Sequence, residues 1–149
     1  MKARKFDHVA VTVSDTKRSL GFYVDQLGLR LMENHQLEGA AIDEANGLQG
    51  GSARSTRLQA PDSPEVLIDL LEYYSPPGQA HITPHGSVGS CHFALVVEDL
   101  QGAYEELKEK GVPFISGPVS FRLTEGSVSV CFCQDPDGNY IELMEEYDH

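Results

Sequence analysis

Apolar and polar positions alternate along the first segment, FDHVAVTV at 6–13, which predicts a β-strand. Val9, Val11 and Val13 then share one strand face, and His8, Ala10 and Thr12 share the other. Ser14-Asp15 follows as a helix N-cap signal, and Leu20, Tyr23, Val24 and Leu27 recur at helical spacing up to Gly28. Glycine there suits the left-handed residue just past a helix. Further strands are predicted near 29–33, 54–60 and 65–74. The second half predicts a strand at 91–97, an N-cap at Asp99, a helix at 100–110 stopped by Gly111, and strands near 113–116, 127–134 and 139–146. DPDGN at 135–139 is a strong tight-turn signal between the last two.

The two halves repeat one another. FDHVAVTVSDTKRSLGFYVDQLGL at 6–29 matches CHFALVVEDLQGAYEELKEKGV at 91–112, with His8 on His92 and Asp15 on Asp99 at one offset of 84 residues. Each half closes on a similar strand, VLIDLLEYY at 66–74 and NYIELMEEY at 139–147. The order β-α-β-β-β therefore occurs twice, which places the chain in the α+β class as two modules, about 5–75 and 90–147. The Pro- and Gly-rich stretch 76–89 is the linker between them. Each module is too small to bury much core alone, so the expectation is one domain over residues 1–149. Residues 34–53 are an insertion the second module lacks, with a short helix expected at 38–46 and a Gly-rich loop after it.

Composition narrows the function classes. The 149 residues carry 23 Asp and Glu against 11 Lys and Arg, a formal charge of −12. With no basic patch, nucleic acid and anionic membrane surfaces are poor partners. No apolar run approaches the ~18 residues of a membrane-spanning helix. The start, MKARKF, leads into no apolar leader segment. Cys91, Cys131 and Cys133 do not form a disulfide framework, so free thiols in a reducing cytoplasm are expected, with Cys131 and Cys133 as core packing.

The chemistry-bearing residues sit at matched places. His8 and His92 open the first strand of each module on the face of smaller side chains. Asp69 shares a face with Leu67, Leu71 and Tyr73, and Glu142 shares one with Tyr140 and Met144, each on a strand that should be buried. A buried carboxylate needs a partner. Two imidazoles and two carboxylates suit a divalent transition metal in an open site. The alternative is that each His satisfies a local hydrogen bond and each carboxylate pairs with an Arg. Glu72 falls on the opposite face and is rejected as a ligand, and Glu145 and Glu146 are expected to be solvated. His81 and His85 lie in the linker, separated by Pro84. His35 and His149 read as an exposed loop and a terminus. Arg54, Arg57 and Arg122 are the main cations available to a substrate anion, although surface Arg is the commoner state.

The doubled pattern, strand-opening His8 and His92, DPDGN and the YIELMEE ending resemble the vicinal oxygen chelate superfamily over essentially the whole chain. That group includes glyoxalase I, methylmalonyl-CoA epimerase, extradiol dioxygenases and bleomycin- and fosfomycin-resistance proteins. The resemblance implies a curved mixed sheet around a cleft and a homodimer. It also implies a divalent metal (Zn, Ni, Co, Mn or Fe) held by His8, Asp69, His92 and Glu142. Asp69 departs from the pattern, because the family carries Glu or Gln there and Asp is one methylene shorter.

Three functions follow from the resemblance. In a lyase or isomerase, the metal holds two vicinal oxygens of a small substrate and stabilises an enediolate, with Glu142 as the base and Asp69 as its counterpart. An extradiol-type dioxygenase would need only His8, His92 and Glu142 around Fe(II). A drug-sequestering binding protein would need no chemistry, and such relatives usually lack the metal residues.

Overall fold

A computed structural model describes residues 2–81, 83–124 and 126–147. The chain divides into two compact units, Met1–His81 and Ile82–His149. His149, expected to be an exposed terminus, lies outside the described residues.

The first unit runs β1 (His8–Thr12), α1 (Thr16–Tyr23), β2 (Arg30–Glu38), α2 (Ala40–Asn46), β3 (Ser52–Gln59) and β4 (Leu67–Ser75). Its sheet has the order β1-β4-β3-β2, with β1 parallel to β4 and the other pairs antiparallel. The second unit runs β5 (His92–Val96), α3 (Leu100–Glu109), β6 (Val119–Leu123), β7 (Gly126–Gln134) and β8 (Tyr140–Tyr147). Its sheet has the order β5-β8-β7-β6 with the same sense of pairing. The α+β class and the doubled β-α-β-β-β order expected from the sequence are the ones adopted.

Helices α1 and α3 start the same way. The Asp15 side chain accepts from Arg18 N at 2.9 Å, and the Asp99 side chain accepts from Gly102 N at 2.9 Å. A second carboxylate reaches each helix end from the closing strand. Glu72 accepts from Thr16 N at 2.9 Å and from Thr16 Oγ1, and Glu145 accepts from Leu100 N at 2.8 Å. The first N–H groups of a helix have no intrahelical acceptor, and a negative group there also meets the positive end of the helix dipole. Glu145 is therefore not a solvated side chain, as its pattern suggested, but a cap. Glu72, rejected as a ligand, does face away from Asp69 toward α1.

The apolar sides of these elements form the cores. In the first unit α1 lies against β4, with Val11, Phe22, Tyr23, Leu58 and Leu70 buried. In the second, α3 lies against β7 and β8, with Leu100, Leu107, Cys131, Cys133, Ile141 and Leu143 buried. The two thiols are free and act as small hydrophobes, as expected. Burial pushes them up to about 11 for Cys131 and about 12 for Cys133.

Four boundaries differ from the sequence reading. Helix α1 ends at Tyr23 rather than near Leu27, and a turn carries the chain to Gly28 at φ +75°, where Leu29 N bonds back to Tyr23 O at 3.0 Å. Strand β2 continues through Glu38, so much of the presumed insertion is strand, and His35 lies on it rather than in a loop. The insertion's helix is α2, after which Asp43 holds the Gly-rich loop by accepting from Gly50 N and Gly51 N. The strand expected at 113–116 is only a short bridge, Phe114 with Cys133. Pro113 lacks an N–H there, and Gly117-Pro118 turns the chain before pairing resumes. The real strand is β6, whose Val119, Phe121 and Leu123 alternate in a period-two signal that the reading passed over. At the last turn Asp135, 3% exposed, accepts from the backbone of Asp137 and Asn139, which explains DPDGN.

Candidate metal and acid–base site

Parallel pairing of the first and last strand of each unit sets the geometry. On β1 and β4, His8 lies opposite Leu67 and Ala10 opposite Asp69. On β5 and β8, His92 lies opposite Tyr140 and Ala94 opposite Glu142. Each carboxylate is thus two residues along from its His, on the same face, with a small Ala beside it.

The second unit closes this arrangement. His92 Nε2 is 3.3 Å from Glu142 Oε2, with the His side chain 40% and the Glu side chain 19% exposed. Glu142 reaches back across Ala94 to meet the ring. The first unit does not. Asp69 is 5% exposed, and its Oδ1 accepts from Ser55 Oγ at 2.7 Å. His8, at the strand entrance, has its Nδ1 3.1 Å from Asp7 Oδ2. That bond, followed by Lys5, holds the exposed Asp7 carboxyl below its ordinary range.

The register explains the asymmetry. The position matching Ser55 on β7 is Val130, since Ser55 pairs with Leu71 and Val130 with Met144. Val130 offers no donor, so Glu142 turns to its His. Ser55 is a donor and Asp69 is shorter by one methylene, so Asp69 turns to Ser55. Among the described residues, neither Asp69 nor Glu142 forms the alternative carboxylate–Arg pair. Arg57 lies directly opposite Asp69 but donates through Nη1 to Glu33 at 3.2 Å.

Of the four candidate ligands, the structure brings His92 and Glu142 together and leaves His8 and Asp69 with other partners. The donor chemistry suits a divalent metal fully at the His92–Glu142 pair and only partly at His8 and Asp69. Among the described residues, no group of three or more His, Cys, Asp or Glu is already arranged to hold one.

The remaining candidates fall elsewhere. His81 is exposed, and so are Arg54, over the Tyr74 ring at 5.9 Å, and Arg122 on β6. His35 Nε2 lies 3.3 Å from Glu33. His85 is exposed but not isolated, since its ring lies 4.5 Å from Phe132, 4.9 Å from Tyr140 and 5.8 Å from His92. The sequence reading missed this ring cluster and the two Glu caps. The caps had a signal, because Glu72 and Glu145 each stand three residues after a candidate carboxylate. No helix among the described residues is long and apolar enough to cross a membrane.

Comparison with known proteins places this architecture. The model of the Glyoxalase/Bleomycin resistance protein/Dioxygenase superfamily matches residues 5–143. Relatives include lactoylglutathione lyase of Pseudomonas aeruginosa, 28% identical over 94% of this chain and 81% of that protein. Lactoylglutathione lyase of Escherichia coli O157:H7 is 29% identical over 95% of this chain and 92% of that protein. Among solved structures, a glyoxalase family protein from Bacillus cereus superposes with a TM-score of 0.84 at 22% identity, covering 98% of this chain and 96% of that one. Glyoxalase I of Leishmania major gives 0.66 at 23% identity, covering 97% and 88%.

Proposed function

The chain belongs to the Glyoxalase/Bleomycin resistance protein/Dioxygenase superfamily, and on that premise we propose that it is a metal-dependent lyase or isomerase that moves a carbon-bound proton on a small substrate with vicinal oxygens. The observation that carries the reading is the His92–Glu142 pair, 3.3 Å apart, with the Glu142 side chain 19% exposed. It is supported by relatives named lactoylglutathione lyase that span nearly the whole chain.

His92 and Glu142 are the pair that would hold a divalent metal, with His8 as a third donor and Asp69 as a fourth only if it leaves Ser55. The two pairs lie in different units. When bound, the metal would supply Lewis-acid stabilisation of negative charge on two adjacent substrate oxygens. Glu142 accepts the carbon-bound proton and returns it to the neighbouring carbon. A carboxylate that is partly shielded yet still open to the face suits this exchange. Asp69 is too deeply engaged with Ser55 to be its equal as a base.

The same Ser55–Asp69 bond favours a second reading. With Asp69 held off, His8, His92 and Glu142 are two His and one carboxylate, the donor set of Fe(II) oxygenases. Metal content and turnover, measured together on Glu142→Gln with hemithioacetals, acyl-CoA epimers and catechols, separate the two. The proton-transfer reading expects much of the metal retained and turnover down by about 10²–10⁴, since an amide can coordinate but cannot take the proton. The oxygenase reading expects activity to follow iron occupancy and to return in excess Fe(II). Full turnover of the metal-loaded variant on a lyase or isomerase substrate removes Glu142 as the base.

A further inference from the structure

Glu142 stands beside a shelf of rings. On β7 it is paired with Phe132, and on its own strand it is two residues from Tyr140, which is paired with His92. Alternation puts His92, Phe132, Tyr140 and Glu142 on one face. His92 and Phe132 meet edge to face, with centroids 5.1 Å apart and planes at 85°. The His85 imidazole lies on this shelf, bracketed by Phe132 at 4.5 Å, Tyr140 at 4.9 Å and His92 at 5.8 Å. The shelf therefore already accommodates one flat ring next to the reacting carboxylate.

His85 is an easily moved occupant. It is exposed, and it sits in a turn closed by Ser87 N to Pro84 O at 3.1 Å, outside every strand. Swinging it away breaks no sheet hydrogen bond. The surroundings are also selective in charge. Residues 82–149 carry 12 Asp and Glu against three Lys and Arg, which are Lys108, Lys110 and Arg122. Lys108 and Lys110 belong to α3 and its end, and Arg122 alternates with Phe121 and Leu123 to the other face of β6. This unit offers no cation on the Glu142 face for a carboxylate or a phosphate.

We propose that the Phe132–Tyr140–His92 shelf is the subsite for a flat aryl or heteroaryl group of the substrate that carries no negative charge, and that His85 is the ring the substrate displaces. This rests on Glu142 as the reacting group, but its test does not need turnover. Phenol, with benzoate as its anionic counterpart, is titrated into the metal-free full-length protein, and the amide NMR signals of Phe132, Tyr140 and Glu142 are followed. Phenol should shift these signals, and benzoate should bind at least about tenfold more weakly. His85→Ala should tighten phenol by about two- to tenfold, the factor that one aromatic pair is worth. His85→Phe, which keeps a covering ring, should not tighten it, and Phe132→Leu should weaken it. Equal phenol affinity in His85→Ala and wild type, or benzoate binding as tightly as phenol, overturns the proposal. The titration is made without metal and reads no turnover. Loss of the proton-transfer reading therefore leaves this measurement standing, and failure of the shelf leaves the turnover result standing.

Discussion

Ser55→Ala isolates the contact that separates the two halves of the candidate site. Ser55 and Asp69 are each 5% exposed, and among the described residues their 2.7 Å bond is the one hydrogen bond of the Asp69 side chain. Removing the hydroxyl leaves a buried carboxyl without its donor, while the lost volume is a single oxygen. A hydrogen bond to a carboxylate of this kind is worth about 1.5–3 kcal/mol. At roughly 2–4 °C per kcal/mol for a chain of this size, the melting temperature should fall by about 3–12 °C. Urea unfolding checks this, with the midpoint lowered and the slope unchanged. Metal titration of the same variant reads the second consequence. If Ser55 holds Asp69 away from the site, affinity should be unchanged or higher, because Asp69 gains freedom to swing. A fall of about 10–100-fold is what loss of a supporting hydrogen bond behind a true ligand costs. That fall, or a stability loss below ~0.5 kcal/mol, the size of an ordinary surface substitution, would refute the reasoning.

Two further outcomes test the fold around the site. Glu145→Ala removes the acceptor for Leu100 N and should cost about 0.5–2 kcal/mol, seen as faster amide exchange in the first turn of α3. Glu72→Ala should do the same to α1. The buried thiols also set an alkaline limit. Their folded values of about 11 and 12 lie above the ordinary 9.0, so the unfolded chain loses these protons first. The stability they protect is full below pH 9 and declines as pH rises toward 11–12. The double variant Cys131→Val, Cys133→Val should flatten that decline in unfolding measured from pH 8.5 to 11. An unchanged slope would show that other groups dominate it. In the native protein, thiol reagents should reach Cys91, which is exposed, well before the other two.

Local signals carried most of the architecture. Asp15 and Asp99, Gly28 and Gly111, and the DPDGN turn act through their own backbone neighbourhood, so their residue types mark element ends directly. Period-two faces placed His8, Asp69, His92 and Glu142 on matched strand positions for the same reason, since side-chain direction in a strand follows from sequence position alone. Strand length and partner choice were less legible. Strand β2 runs on to Glu38 because Arg54 and its neighbours on β3 pair with it, and 113–116 fails as a strand because Pro113 and the Gly117-Pro118 bend interrupt pairing. The divergence of the two half-sites was beyond any reading along the chain. Asp69 and Ser55 are 14 residues apart and their counterparts Glu142 and Val130 are 12 apart, and nothing local says which neighbour a carboxylate will choose. Only the antiparallel register between β3 and β4 puts a hydroxyl within 2.7 Å of Asp69, while its counterpart puts a valine near Glu142 and leaves that carboxylate to His92. A buried acceptor takes the nearest donor, and which donor is nearest is a property of the sheet.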